Sequence, residues 1–254
     1  MRIIHCHNIQ HLGDCIQTLH FLLNTSKYND VYFRFACNPK YHNQLQDFMY
    51  GYDKVKLTSE IYSSSIDTWI GAHDYGKLCK QSDEIYKDTS DQGTYFLLLW
   101  KKLSKIMEVE CPFQTKQDMV YNEKGLSFDP SIKNQYDYLF INSQNMSIPF
   151  PNFENECSGI IEKLNESNNS FITTRKIENY PCTLDHNLNV VDIARLAKNV
   201  KNIIAVNTGP LHLCMNKWVI PRISKFIIWS PTPENFNYGP NFINVKSLKE
   251  IEQL

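Results

Sequence analysis

Short apolar runs alternate with amphipathic stretches along most of this chain, in two series separated by a polar segment. This alternation constrains the fold more than any other feature, because each run must bury one face against its neighbours. In the first series, residues 2–6 read as a buried strand, and residues 14–23 carry Ile16, Leu19, Leu22 and Leu23 at helical spacing. Residues 31–36 and 54–57 read as strands, 68–71 as a candidate fourth, and 41–49 and 93–109 as helices. In the second series, residues 138–142, 171–174, 203–206 and 226–229 read as strands. Residues 155–165, 190–197, 211–217 and 247–254 read as helices between and after them. Repeated β-α units with short connections predict parallel sheets covered by helices.

The polar stretch 122–135, with Gly125 and Pro130, is the expected linker. A chain of 254 residues has room for two small domains, here residues 1–128 and 129–254. The expected class is therefore α/β, with two Rossmann-like domains.

Composition narrows the function. The chain is 42% hydrophobic with a formal net charge of −1, an ordinary globular balance. Near-neutral charge gives no electrostatic case for nucleic acid or an anionic membrane surface. The eight cysteines are scattered with no CxxC pair, so neither a zinc site nor a disulfide framework is expected. No stretch approaches the roughly 20 apolar residues of a membrane span, and residues 1–6 enter a strand-like run rather than a signal-peptide core. The expected location is cytoplasmic, with no transmembrane segment.

Two loops carry candidate chemistry. The first is Leu12-Gly13-Asp14-Cys15-Ile16-Gln17-Thr18-Leu19, between the first strand and the first helix. In parallel α/β sheets ligands bind at this edge of the strands. Gly13 would permit close backbone approach or a positive φ. Asp14 reads either as a helix N-cap or as a reactive carboxylate at the mouth of the sheet. The second loop is Val206-Asn207-Thr208-Gly209-Pro210-Leu211-His212-Leu213, with Pro210 placed at the first helical position. It reads either as a capped β-α turn or as an anion site for a diphosphate, with the Thr208 hydroxyl as an added donor. His212 reads as a phosphate contact or as packing.

The pair is more specific than either loop. Gly-Asp-x-x-x-Thr-Leu follows the first strand. Asn-Thr-Gly-Pro-Leu-His-Leu is followed by Val219-Ile220-Pro221, a strand, Ser230-Pro231-Thr232-Pro233-Glu234 and Tyr238-Gly239-Pro240. This order of motifs resembles the heptosyltransferase family of GT-B glycosyltransferases. The likeness is dense over residues 13–19 and 203–240, and architectural between them.

The resemblance implies two Rossmann-like domains facing across a cleft, acceptor held by the first and nucleotide-sugar donor by the second. It implies that Asp14 is the general base of an inverting transfer that needs no metal or cofactor, the nucleotide-diphosphate sugar being a substrate. Asn207, Thr208, Gly209, Pro210, Leu211, His212 and Thr232 would meet the donor. The family's basic, Trp-bearing segment after the strand at 138–142 is missing here, and Arg175 and Lys176, after the next strand, read either as positive charge for the diphosphate or as a solvated loop pair. Gly13, Trp69, His73 and Asp74 are the acceptor candidates, although a Trp near a strand end also serves as core. Asp74 is an alternative base if Asp14 is only a cap. The acceptor would be a glycan or glycolipid hydroxyl.

Three positions depart from the family pattern: Asn207 where Asp is usual, Ser230 where Gly is usual, and His20 where Pro is usual. Two further readings stand beside transfer: a nucleotide-sugar-binding module without activity, and a nucleotide-sugar epimerase.

Overall fold

The computed structural model describes residues 2–69, 92–143, 150, 152–230, 236–247 and 250–251. The chain divides into two compact units, Met1–Gly125 and Leu126–Leu254.

The first unit contains β1 (Arg2–Asn8), α1 (Leu12–Tyr28), β2 (Val31–Cys37), α2 (His42–Gln46), β3 (Val55–Thr58), β4 (Ile66–Asp67) and α3 (Gln92–Ile106). Its strands form a sheet in the order β3-β2-β1-β4, with every pair parallel. Because β2 and β4 flank β1, the order of winding reverses there. The C-terminal ends of β1 and β4 thus form the switch point at which such sheets open a crevice.

Helix α1 is buried almost all round from Cys15 to Ser26, as expected for a helix covered on both sides. Phe21 stacks on Trp100 of α3 at 5.0 Å between centroids. The polar end of α1 tolerates burial because the Thr25 and Ser26 hydroxyls donate back to the Phe21 and Leu23 carbonyls at 2.8 Å. These bonds explain why the helix continues to Tyr28, past the polar residues that suggested its end.

His20, at the family's proline position, is a core residue. Its Nδ1 lies 2.5 Å from Oε1 of Glu123, a fully buried carboxylate that also accepts from Asn24 Nδ2 at 3.1 Å and from the Asn122 amide at 3.0 Å. The imidazole sits between Phe113 and Tyr121. Part of the expected linker is therefore docked. A Cβ on Gly125 would lie 2.0 Å from the Asp47 carbonyl oxygen, so this glycine serves close packing, not flexibility.

The second unit contains β5 (Tyr136–Ile141), α4 (Phe153–Glu166), β6 (Phe171–Thr173), α5 (Val190–Leu196), β7 (Val200–Val206), α6 (Gly209–Cys214), β8 (Lys225–Trp229) and β9 (Phe242–Val245). The sheet order is β6-β5-β7-β8-β9, again all parallel. Here the switch point falls between β5 and β7. Helix α4 buries Phe153, Cys157, Ile160, Ile161 and Leu164, one stripe at helical period, against Tyr138, Phe140, Ile204 and Ile227. Phe153 stacks on Trp229 at 5.4 Å.

Other elements also shift from expectation. The fourth strand lies at 66–67 rather than 68–71, and helix 41–49 shortens to α2 behind a 3-10 turn at Pro39–Tyr41. The C-terminal helix expected at 247–254 falls largely outside the described residues. Strand β9 was not anticipated. The seven described cysteines are free, and of these only Cys111 is partly exposed.

Candidate active site

At the first switch point, β1 ends at Asn8 and α1 begins at Leu12. The N-cap is His11, so Asp14 is the third helical residue rather than the cap. Its Oδ2 accepts the His11 amide at 3.3 Å, satisfying one of the donors a helix start leaves open. Asp14 is half-buried, and burial raises its carboxyl above the ordinary aspartate range, against the lowering effects of the His11 amide and ring. A carboxyl moved in that direction is a better proton acceptor when ionised. Gly13 lies inside the helix, and the described glycine with positive φ is Gly51, so Gly13 does not serve a left-handed turn.

A buried polar network underlies this corner. Asn8 Nδ2 donates to Thr18 Oγ1 at 3.2 Å, and Thr18 Oγ1 lies 3.3 Å from Thr68 Oγ1, just past β4. The Thr68 hydroxyl and amide both donate to the His7 carbonyl at 2.9 Å. Trp69 is half-buried beside this point, its amide held by Asp67 Oδ1 at 2.9 Å. His73 and Asp74 lie outside the described residues. Sequence reasoning passed over Asn8, Thr18 and Thr68, although a polar residue ending an apolar strand and the threonine of Gly-Asp-x-x-x-Thr were visible signals.

At the second unit's edge, β7 runs into Asn207 and Thr208. The Asn207 amide donates to the Trp229 carbonyl at 3.2 Å, extending the β7–β8 ladder. Thr208 is the N-cap of α6 in extended conformation, so Gly209 and not Pro210 is the first helical residue. The hydroxyl of Thr208 donates to the Val206 carbonyl at 3.3 Å, and the Leu211 amide to the Thr208 carbonyl at 3.0 Å. Pro210 has no amide hydrogen. Of these three first helical positions, Gly209 is the one whose amide has no hydrogen-bond partner among the described residues. Leu211 is fully buried. His212 is buried too, edge-on to Phe236 at 6.0 Å, and desolvation lowers its imidazole to about 4, so it is neutral at neutral pH. Thr232 lies outside the described residues.

Across the switch point, Asn142 braces the turn after β6. Its Oδ1 accepts the Thr174 amide at 3.1 Å and the Arg175 amide at 2.7 Å, and its Nδ2 donates to the Arg175 carbonyl at 3.2 Å. Arg175 pairs with Glu154 at 2.7 Å, and Lys176 with Asp185 at 2.7 Å. Both cations are thus partly committed, and Lys176 is drawn toward the outer side of the edge strand β6. Among the described residues, no three His, Cys, Asp or Glu side chains gather as a metal site, and no helix is long and apolar enough to cross a membrane.

The E. coli heptosyltransferase WaaC with ADP matches at a TM-score of 0.51 and 14% identity, over 100% of this chain and 98% of that one. The iron-containing dodecameric glycosyltransferase TibC of enterotoxigenic E. coli H10407 matches at 0.58 and 12% identity, over 95% of this chain and 62% of that one. TibC in complex with ADP-D-β-D-heptose matches at 0.57 and 10% identity. The chain has the fold of these GT-B glycosyltransferases. The two parallel sheets of four and five strands are the two Rossmann-like halves of that fold. No protein-family model and no curated protein sequence matches the chain.

Proposed function

We propose that the chain is an inverting glycosyltransferase that moves a sugar from a nucleotide-diphosphate sugar to a hydroxyl of a glycan acceptor. The observation that carries this reading is the half-buried Asp14 carboxyl at the first switch point, raised by burial and oriented by the His11 amide. Asp14 takes the proton of the acceptor hydroxyl as that oxygen forms its bond to the anomeric carbon. The bond from that carbon to the donor's diphosphate breaks, and its electron pair leaves with the diphosphate. The Gly209 amide receives the donor phosphates, joined by the Thr208 hydroxyl once it turns from the Val206 carbonyl, with Arg175 and Lys176 supplying positive charge. Asn207 shapes the turn, and Thr232 would add a donor contact. His212, being neutral, acts through packing or as an uncharged hydrogen-bonding group. Trp69, with Gly13, His73 and Asp74, would meet the acceptor.

Support comes from the shared fold with ADP- and ADP-heptose-bound transferases of low identity, and from the two motifs falling at the switch points of the two sheets. The donor sugar of those proteins is not carried over, because sugar choice rests on individual pocket side chains.

Asp14→Asn is the deciding variant. Incubation with a panel of nucleotide sugars and glycan acceptors, followed by mass spectrometry, should show transfer by the wild type and a loss of about 100-fold or more in the variant. Near-normal turnover removes Asp14 from the mechanism. The pairing of Arg175 and Lys176 with carboxylates favours one other reading, a binding module with no activity. Nucleotide-sugar binding by calorimetry without product from any acceptor would establish that reading instead.

A further inference from the structure

We infer that Asn8 is the positioning residue of the Asp14 corner, holding the carboxyl in place from both sides of it in the chain. Asn8 ends β1 and is 1% exposed. Its Oδ1 accepts the Gln10 amide at 3.2 Å, which fixes the turn whose next amide, that of His11, donates to Asp14 Oδ2. Its own carbonyl accepts from Cys15 Sγ at 3.3 Å, gripping the residue that follows Asp14. Its Nδ2 donates to Thr18 Oγ1 at 3.2 Å, one helical turn beyond Asp14 and so on the same face of α1.

One residue therefore spans the approach to the helix, its first turn and its second, the side chain making the outer two bonds and the backbone carbonyl the middle one. Only an amide does this here. Aspartate keeps the acceptor for Gln10 but loses the donor to Thr18, serine is too short to reach both, and leucine fills the space with neither group. The Thr18 hydroxyl passes the restraint on to Thr68 at 3.3 Å, so the end of β4, where Trp69 begins, is tied to the same point. The carboxyl itself is held by the His11 amide and by its own backbone amide.

The inference rests on Asp14 as the reacting carboxylate, yet its test does not need a substrate. The side-chain carboxyl of Asp14 is titrated by carbon-13 NMR in the wild type, Asn8→Ala and Thr18→Val. His11 is the titratable neighbour on the turn, and Cys15 the one on α1. The wild-type midpoint should lie above that of a free aspartate. In Asn8→Ala, with the amide spectrum of the sheet unchanged, it should fall back toward the free value, because relief of burial, the largest cause of the shift, outweighs the weakened His11 amide bond. Thr18→Val, nearly isosteric and missing only the shared hydroxyl, should move it in the same direction by less, and carries the test if Asn8→Ala fails to fold. In the transfer assay both variants should lower kcat, by about 10- to 100-fold for Asn8→Ala, with donor KM little changed.

An unmoved Asp14 titration in a folded Asn8→Ala, or in Thr18→Val where Asn8→Ala does not fold, overturns the inference. The two readings separate cleanly. If Asp14→Asn retains turnover while the titration responds to Asn8, the base assignment falls and the positioning stands. If Asp14→Asn is inactive while the titration ignores Asn8 and Thr18, the positioning falls and the base stands.

Discussion

At the scale of single residues, burial sets the chemistry of the two edges. Asp14 has its carboxyl raised by desolvation, so the folded chain holds that proton more tightly than the unfolded chain does. Ionising Asp14 therefore costs stability, and the cost grows as pH rises from the unfolded value of about 4 through the raised folded value. Asp14→Asn, which still offers an acceptor to the His11 amide, should match the wild type in melting temperature at pH 3.5 and equal or exceed it at pH 7. A variant that becomes less stable with rising pH relative to the wild type would contradict this account. His212 behaves in the opposite sense, its ring lowered to about 4 by burial. Proton NMR of the imidazole should show titration near pH 4 rather than 6.5, with stability lost as pH falls from about 6.5 through about 4. A ring titrating at its ordinary value would contradict the desolvated setting.

At the scale of elements, α1 is fastened at its middle by the buried His20–Glu123 pair. Removing Glu123 as Glu123→Ala takes a buried acceptor from His20 and Asn24, and leaving buried polar groups unsatisfied costs about 1–3 kcal/mol each. Urea unfolding should read that loss. Gly125→Ala should also destabilise, by about 1–3 kcal/mol, because the new methyl would meet the Asp47 carbonyl oxygen. Little change in unfolding midpoint would show that the segment yields easily. Neither contact was legible in sequence, where His20 appeared only as a departure from a motif and Gly125 as a linker glycine. Both owe their roles to partners about a hundred positions or some eighty away in the chain, which no local pattern encodes. The central strands were legible for the opposite reason. Ile203–Val206 and Phe226–Trp229 lie at the centre of their sheet, buried on both faces, and read as continuous apolar runs. Edge strand β9, with exposed Ile243 and with Asn244 bonded to the Phe236 backbone, has no such run. At the candidate site the motif residues were legible, and the shell behind Asp14 was not, because Asn8, Thr18 and Thr68 meet only after β4 has been placed beside β1.

For the whole molecule, the second unit has a core of its own. The aromatic and aliphatic cluster from Tyr138 through Trp229 to Ile251 lies entirely within Leu126–Leu254. A fragment of residues 126–254 should therefore unfold cooperatively in urea, with coincident fluorescence and circular-dichroism transitions; a broad, non-cooperative change would deny it an independent core. The distribution of sulfur then has a practical consequence. Cys15 and Cys37 are shielded in one half, and Cys157, Cys182 and Cys214 in the other. A thiol-alkylating reagent applied without denaturant becomes a pair of clocks. Each buried sulfur is modified only when its own neighbourhood breathes, so the order in which mass tags arrive tells which half loosens first.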